Sequence, residues 1–121
     1  LKLEPNDIFP RLNLGNAYRT LGRVEEAIQE YKAALELKPD YVEAHNNLGV
    51  VYKDLGRLDE AVREFQIALK LRPGSVNTHY SLGETYQRMG RIQEARGEFE
   101  LALQIKPDYD PARQALKSLR R

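Results

Sequence analysis

The stretch NLGNAYRTLGR, from Asn13 to Arg23, returns as NLGVVYKDLGR from Asn47 to Arg57 and as SLGETYQRMGR from Ser81 to Arg91, each copy 34 residues after the last. A fixed period of this size marks a unit that cannot bury its apolar face alone and must stack on copies of itself. Laid out at that period without a gap, the chain gives three full units, Ile8 to Tyr41, Val42 to Ser75 and Val76 to Tyr109. A short segment, residues 1–7, precedes them and residues 110–121 follow. The units share Leu14-Gly15, Leu48-Gly49 and Leu82-Gly83, then Tyr18, Tyr52 and Tyr86, then Gly22, Gly56 and Gly90. Further along come Ala27, Ala61 and Ala95, the aromatics Tyr31, Phe65 and Phe99, then Ala34, Ala68 and Ala102, and finally Pro39, Pro73 and Pro107.

Within each unit, apolar residues recur at spacings of three and four in two stretches, the pattern of two amphipathic helices. In the first unit the second stretch reads Val24, Ala27, Ile28, Tyr31, Ala34, Leu35. Gly22, Gly56 and Gly90 fall just past the first helix, where glycine takes the left-handed C-cap conformation. Glu25-Glu26 and Asp59-Glu60 open the second helix at its positive dipole end, and Lys38, Arg72 and Lys106 close it before a proline stops it. That position makes dipole compensation, rather than paired catalytic carboxylates, the expected role of the acidic pairs. Asp40 with Glu43, Ser75, and Asp110 before Pro111 read as N-cap signals for the following helices. Gly15, Gly49 and Gly83, with Ala27, Ala61 and Ala95, allow the two helices of a unit to approach closely, so each unit is expected to form a helical hairpin.

The Leu-Gly, Tyr, Ala, Phe/Tyr, Ala, Pro pattern resembles the tetratricopeptide repeat family over nearly the whole chain. The resemblance implies an all-α, right-handed superhelical solenoid of three hairpins. The family's usual large aromatic near the unit start is replaced by Arg11, His45 and His79. LKLEP at Leu1 to Pro5 matches LELKP at Leu35 to Pro39, so residues 1–7 are expected to end a preceding unit's second helix, in a piece of a longer protein. Residues 110–121 align with a first helix, except that Lys117 takes the place of the Leu-Gly glycine. They are expected to form a capping helix that buries Ala112, Ala115, Leu116 and Leu119 and keeps Arg113, Lys117, Arg120 and Arg121 in water. A truncated fourth unit is the alternative.

Composition narrows function mostly by exclusion. Nineteen basic and eighteen acidic residues, interspersed, give a net charge of +1, far from the basic field of non-specific nucleic-acid binding. A period of 34 and a nearly balanced charge also argue against an RNA-reading helical repeat. There is no cysteine, which excludes thiolate catalysis and cysteine-ligated metals. No apolar run approaches the roughly 20 residues that span a bilayer, so no membrane insertion is expected and the chain should be soluble, the cytoplasm being the favoured compartment. Nucleophile-elbow, P-loop and dinucleotide fingerprints are absent. His45 and His79 occupy equivalent positions, yet no carboxylate or third histidine shares their register, and packing rather than metal ligation is expected. Arg23, Arg57 and Arg91 follow the hairpin glycines, where simple solvation is expected ahead of a rim contact to an acidic partner. No catalytic residue, cofactor or metal site is expected.

In the resembling family the first helices line a concave groove. Carried over, the lining is Phe9, Leu12, Asn13, Asn16, Arg19 and Thr20; Glu43, Asn46, Asn47, Val50, Lys53 and Asp54; and Asn77, Tyr80, Ser81, Glu84, Gln87 and Arg88. Asparagine carries both a donor and an acceptor and can satisfy peptide backbone without demanding a side chain. The expected function is a non-catalytic scaffold binding a protein or extended peptide segment. The family's carboxylate clamp resembles this groove at Asn16 and Asn47, but wants basic residues where Leu12, Asn77 and Ser81 stand. The asparagine ladder of the O-linked N-acetylglucosamine transferase arm is closer, with Asn13 and Asn47 in place and Ser81 as a departure. Three alternatives stay open: solvated consensus asparagines without a ligand, self-association through an exposed repeat end near Phe9, and a regulatory arm of a larger enzyme.

Overall fold

The computed structural model describes residues 8–119, the side chain of Ile8 excepted. The expected tail at residues 1–7, and Arg120 and Arg121, lie outside the described residues. Seven helices follow one another: α1 (Ile8–Thr20), α2 (Val24–Leu37), α3 (Val42–Asp54), α4 (Leu58–Leu71), α5 (Val76–Arg88), α6 (Ile92–Ile105) and α7 (Asp110–Leu119). Among the described residues there is no strand, and the fold is all-α.

The close approach within each hairpin comes from a glycine under an aromatic ring. A Cβ placed on Gly15, Gly49 or Gly83 would lie 2.6 Å from the ring of Tyr31, Phe65 or Phe99 respectively. Those rings, with Ala27, Ala61 and Ala95, are fully buried and form the spine of one continuous core. Each hairpin then packs on its neighbour, α2 on α3, α4 on α5 and α6 on α7, which makes the solenoid. The first helices α1, α3 and α5 also touch in series, so their outward faces form one surface.

The hairpin turns behave as their glycines require. Gly22, Gly56 and Gly90 have φ of 78°, 79° and 80°. Arg23 donates its backbone N–H to the carbonyl of Tyr18 at 2.8 Å while Gly22 donates to Arg19 at 3.0 Å, the double bond of a Schellman cap, and the other two turns repeat it. The arginines that follow are not simply solvated. Each guanidinium stacks over the tyrosine it caps, Arg23 on Tyr18 at 4.9 Å, Arg57 on Tyr52 and Arg91 on Tyr86 at 4.7 Å, and each pairs with the glutamate three residues on. The pairing with Arg57 holds the Glu60 carboxyl below its usual range, mainly through that hydrogen bond.

Capping differs from the sequence expectation at α3 and α7. Ser75 caps α5, accepting from the N–H of Thr78. The cap residue of α3 is Tyr41 rather than Asp40, and no side chain caps that end because the tyrosine is buried in a small core with Ala34 and Ala44. Asp110 is the first helical residue of α7. In α7, Ala112 is buried, Ala115, Leu116 and Leu119 pack against the core, and Arg113 and Lys117 are exposed.

Candidate functional site

The first helices are cross-linked by polar bonds between successive units. Asn47 donates Nδ2–H to Oδ1 of Asn16 at 3.1 Å, and Thr78 donates its hydroxyl to Oδ1 of Asn46 at 2.8 Å. Within the third unit, Tyr109, in the turn before α7, donates to Oδ1 of Asn77 at 3.2 Å. Towards the C-terminal ends of the same helices, Lys53 pairs with Glu84 at 2.9 Å, and Arg88 donates to the backbone carbonyl of Lys53 at 2.8 Å.

Where α1, α3 and α5 meet, a cleft of about 310 Å³ opens. It gathers Leu12, Asn16, Glu43, Asn46, Asn47 and Asn77 from the expected lining and adds Val42, Arg72, Ser75 and Thr78. Arg72 arrives from just beyond α4 and pairs with Glu43 at 3.3 Å. No spacing in the sequence announces that contact, because the two lie 29 residues apart at opposite ends of the second unit.

The remaining expected residues lie outside this cleft. Asn13 is exposed, and Asn47 is bonded to Asn16 rather than to it. Phe9, 66% exposed, meets Tyr41 edge-on with ring centroids 6.0 Å apart. Tyr80 packs between Phe99 and Tyr109, with centroids 5.6 and 5.7 Å away. Burial raises its phenol pKa, and the neighbouring Glu84 pushes the same way. Arg19, Val50 and Ser81 are half-buried; Thr20 and Asp54 are exposed.

Asn16 is held from two sides. Its Oδ1 accepts from Asn47 and also from the hydroxyl of Tyr31, which reaches across from α2. Burial raises the pKa of the Tyr31 phenol, with Arg19 acting in the opposite sense. An amide oxygen has two lone pairs, so both acceptor sites of Asn16 are filled. Among the described residues, Nδ2 of Asn16 and Oδ1 of Asn47 have no protein partner, and neither is buried. The cleft therefore presents one amide donor and one amide acceptor side by side.

The expectation that no carboxylate shares the register of His45 and His79 is corrected. Nδ1 of His45 meets Glu64 at 2.8 Å and its Nε2–H donates to the carbonyl of Pro39 at 2.7 Å. His79 repeats this with Glu98 and Pro73, both at 2.8 Å. In the first unit Arg11 pairs with Glu30 at 3.2 Å, and its buried Nε has no partner among the described residues. The position vacated by the family's aromatic thus holds a basic side chain tied to a glutamate across each hairpin. The recurring Glu30, Glu64 and Glu98 were the signal for it. Among the described residues no group of three potential metal ligands comes together, and no helix is long and apolar enough to cross a membrane.

Known proteins share the fold. The chain superposes on MamA with a TM-score of 0.91 at 28% identity, covering 96% of this chain and 68% of that one. YrrB, described as a TPR protein with an unusual peptide-binding site, gives 0.87 at 28% identity over 95% of this chain and 58% of that one. The first TPR of Spaghetti, solved with an HSP90 peptide, gives 0.91 at 20% identity over 97% and 93%, a likeness of fold alone. No curated protein sequence matches the chain. One TPR repeat model matches residues 15–56, and a tetratricopeptide repeat model matches residues 40–108, more than half of the length. With three glycine-and-ring hairpins stacked in one solenoid, the chain belongs to the tetratricopeptide repeat family.

Proposed function

We infer that the chain is a non-catalytic interaction scaffold that holds an extended segment of a partner protein in the cleft between α1, α3 and α5. The observation that carries this reading is a pair of amide groups, Nδ2 of Asn16 and Oδ1 of Asn47, that have no partner among the described residues. In an extended ligand the N–H and C=O of one residue point to the same side, so a single ligand residue can pair with both. Each such bond contributes about 1 kcal/mol net. Because Oδ1 of Asn16 is already held by Tyr31 and Asn47, the donor is fixed in orientation before the ligand arrives, which lowers the ordering cost of binding. Leu12 and Val42 offer apolar contact beside the amides, and Arg72 with Glu43 borders the same cleft. YrrB, alike in fold at 28% identity, is a peptide binder and supports the same class of ligand.

The test is selection from an unbiased displayed peptide library on the protein and on the variant with Asn16→Ala and Asn47→Ala. Enrichment that disappears in the variant, while its thermal melt stays two-state, is the expected result. Enrichment indifferent to the two asparagines rejects the mechanism.

A further inference from the structure

In each unit the first helix meets its own second helix through two adjoining contacts. A basic side chain touches a glutamate (Arg11 with Glu30, His45 with Glu64, His79 with Glu98), and a glycine lies under the aromatic that follows that glutamate (Gly15 under Tyr31, Gly49 under Phe65, Gly83 under Phe99). The positions of α7 that correspond to His79 and Gly83, 34 residues on, are Arg113 and Lys117. His79 and Gly83 are buried beneath α6, whereas Arg113 and Lys117 are exposed, and among the described residues Arg113 pairs with Asp110 of its own helix at 3.3 Å. Beside them a cleft of about 200 Å³ opens between α6 and α7, lined by Leu103 and Leu116 with Arg113 and Lys117. The edge combines an apolar floor with two cations one helical turn apart.

An ordinary second helix of this repeat does not fit there. The aromatic ring tolerates only glycine opposite it, since even a Cβ at Gly83 would come within 2.6 Å of Phe99, and α7 offers lysine. The internal precedent instead defines what does fit. A carboxylate opposite Arg113 repeats the tie made three times in the chain, and a second carboxylate in place of the aromatic meets Lys117. We propose that the α6–α7 edge docks an amphipathic helix of another protein, one that carries two consecutive acidic residues and lays aliphatic side chains on Leu103 and Leu116. This surface is separate from the cleft between α1, α3 and α5, so either can fail without the other.

The probe is a fluorescent peptide with the α4 sequence, Leu58–Leu71, carrying Phe65→Glu so that it follows Glu64 with a second carboxylate. Its counterpart carries Glu64→Lys and Phe65→Lys. Anisotropy titrations with the whole protein are expected to favour the acidic peptide by at least about tenfold, and the variant Arg113→Glu with Lys117→Glu is expected to invert that preference. A neutral variant, Arg113→Gln with Lys117→Gln, removes the cations without adding repulsion inside α7, and should bind both peptides alike. Equal binding of the two peptides by the unaltered protein overturns the proposal. So does a preference for the acidic peptide that persists in the neutral variant.

Discussion

The hydroxyl of Tyr31 on α2 donates to Oδ1 of Asn16 on α1, tying a core ring of the first hairpin to the amide that faces the cleft. Phe65 and Phe99 fill the equivalent places in the other units and show that the ring packs there without a hydroxyl. Tyr31→Phe should therefore change stability by only about 1 kcal/mol. The same substitution frees an acceptor on Asn16 and lets its amide rotate, so affinity for library-selected peptides should fall several-fold. Urea unfolding beside peptide titration separates the two effects. A binding loss no larger than the stability loss would show that Asn16 is not oriented through Tyr31.

The same phenol makes the fold sensitive to alkali. Burial raises its pKa above the ordinary value of about 10, so the folded chain holds the proton more tightly than the unfolded chain does. Its contribution to stability is complete below pH about 10 and is lost as pH rises through the folded value. Tyr41, Tyr80 and Tyr109 are shifted the same way, chiefly by burial, and add to the decline. Unfolding free energies measured from about pH 8 to 11 should fall at the alkaline end, and fall less steeply in Tyr31→Phe.

What the sequence makes legible is what one period repeats at one position. Gly49 and Phe65, Gly22 with its positive φ, and the buried alanines follow from the 34-residue layout, because close approach and left-handed backbone each demand a particular residue type. Contacts that join different positions of different units are not legible in this way. Asn47 reaches Asn16 across 31 residues, Thr78 reaches Asn46 across 32, and Arg88 reaches the carbonyl of Lys53 across 35. These separations depend on how far one hairpin is rotated on the next, which no residue type specifies. The tie between His45 and Glu64 sits between the two cases: both residues recur at period 34, but their adjacency needs the register of the hairpin.

Two glycines should respond to alanine with opposite signs. Gly49→Ala places a Cβ 2.6 Å from Phe65, which is fully buried and cannot move aside cheaply, so the cost should be about 1–3 kcal/mol. Gly97 lies inside α6, and a Cβ there meets nothing within 4 Å. Alanine removes backbone freedom from the unfolded chain without a clash, and Gly97→Ala should stabilise by about 0.5–1 kcal/mol. Denaturation midpoints that move in the same direction for both would contradict the packing described.

His79 offers the strictest test of the hairpin ties. Its ring is buried, with Nε2–H on the carbonyl of Pro73 and Nδ1 against Glu98, so it joins the turn before α5 to the second helix after it. His79→Ala leaves a carbonyl and a half-buried carboxylate without that partner, and should cost about 1–3 kcal/mol. Glu98→Ala removes one of those contacts and should cost less. If the pair acts as a tie, the double variant is less destabilised than the sum of the two by an interaction energy of about 0.5–3 kcal/mol. Additive losses in urea unfolding would mean that the histidine is held by the Pro73 carbonyl alone and that the recurring glutamate contributes nothing to joining the helices.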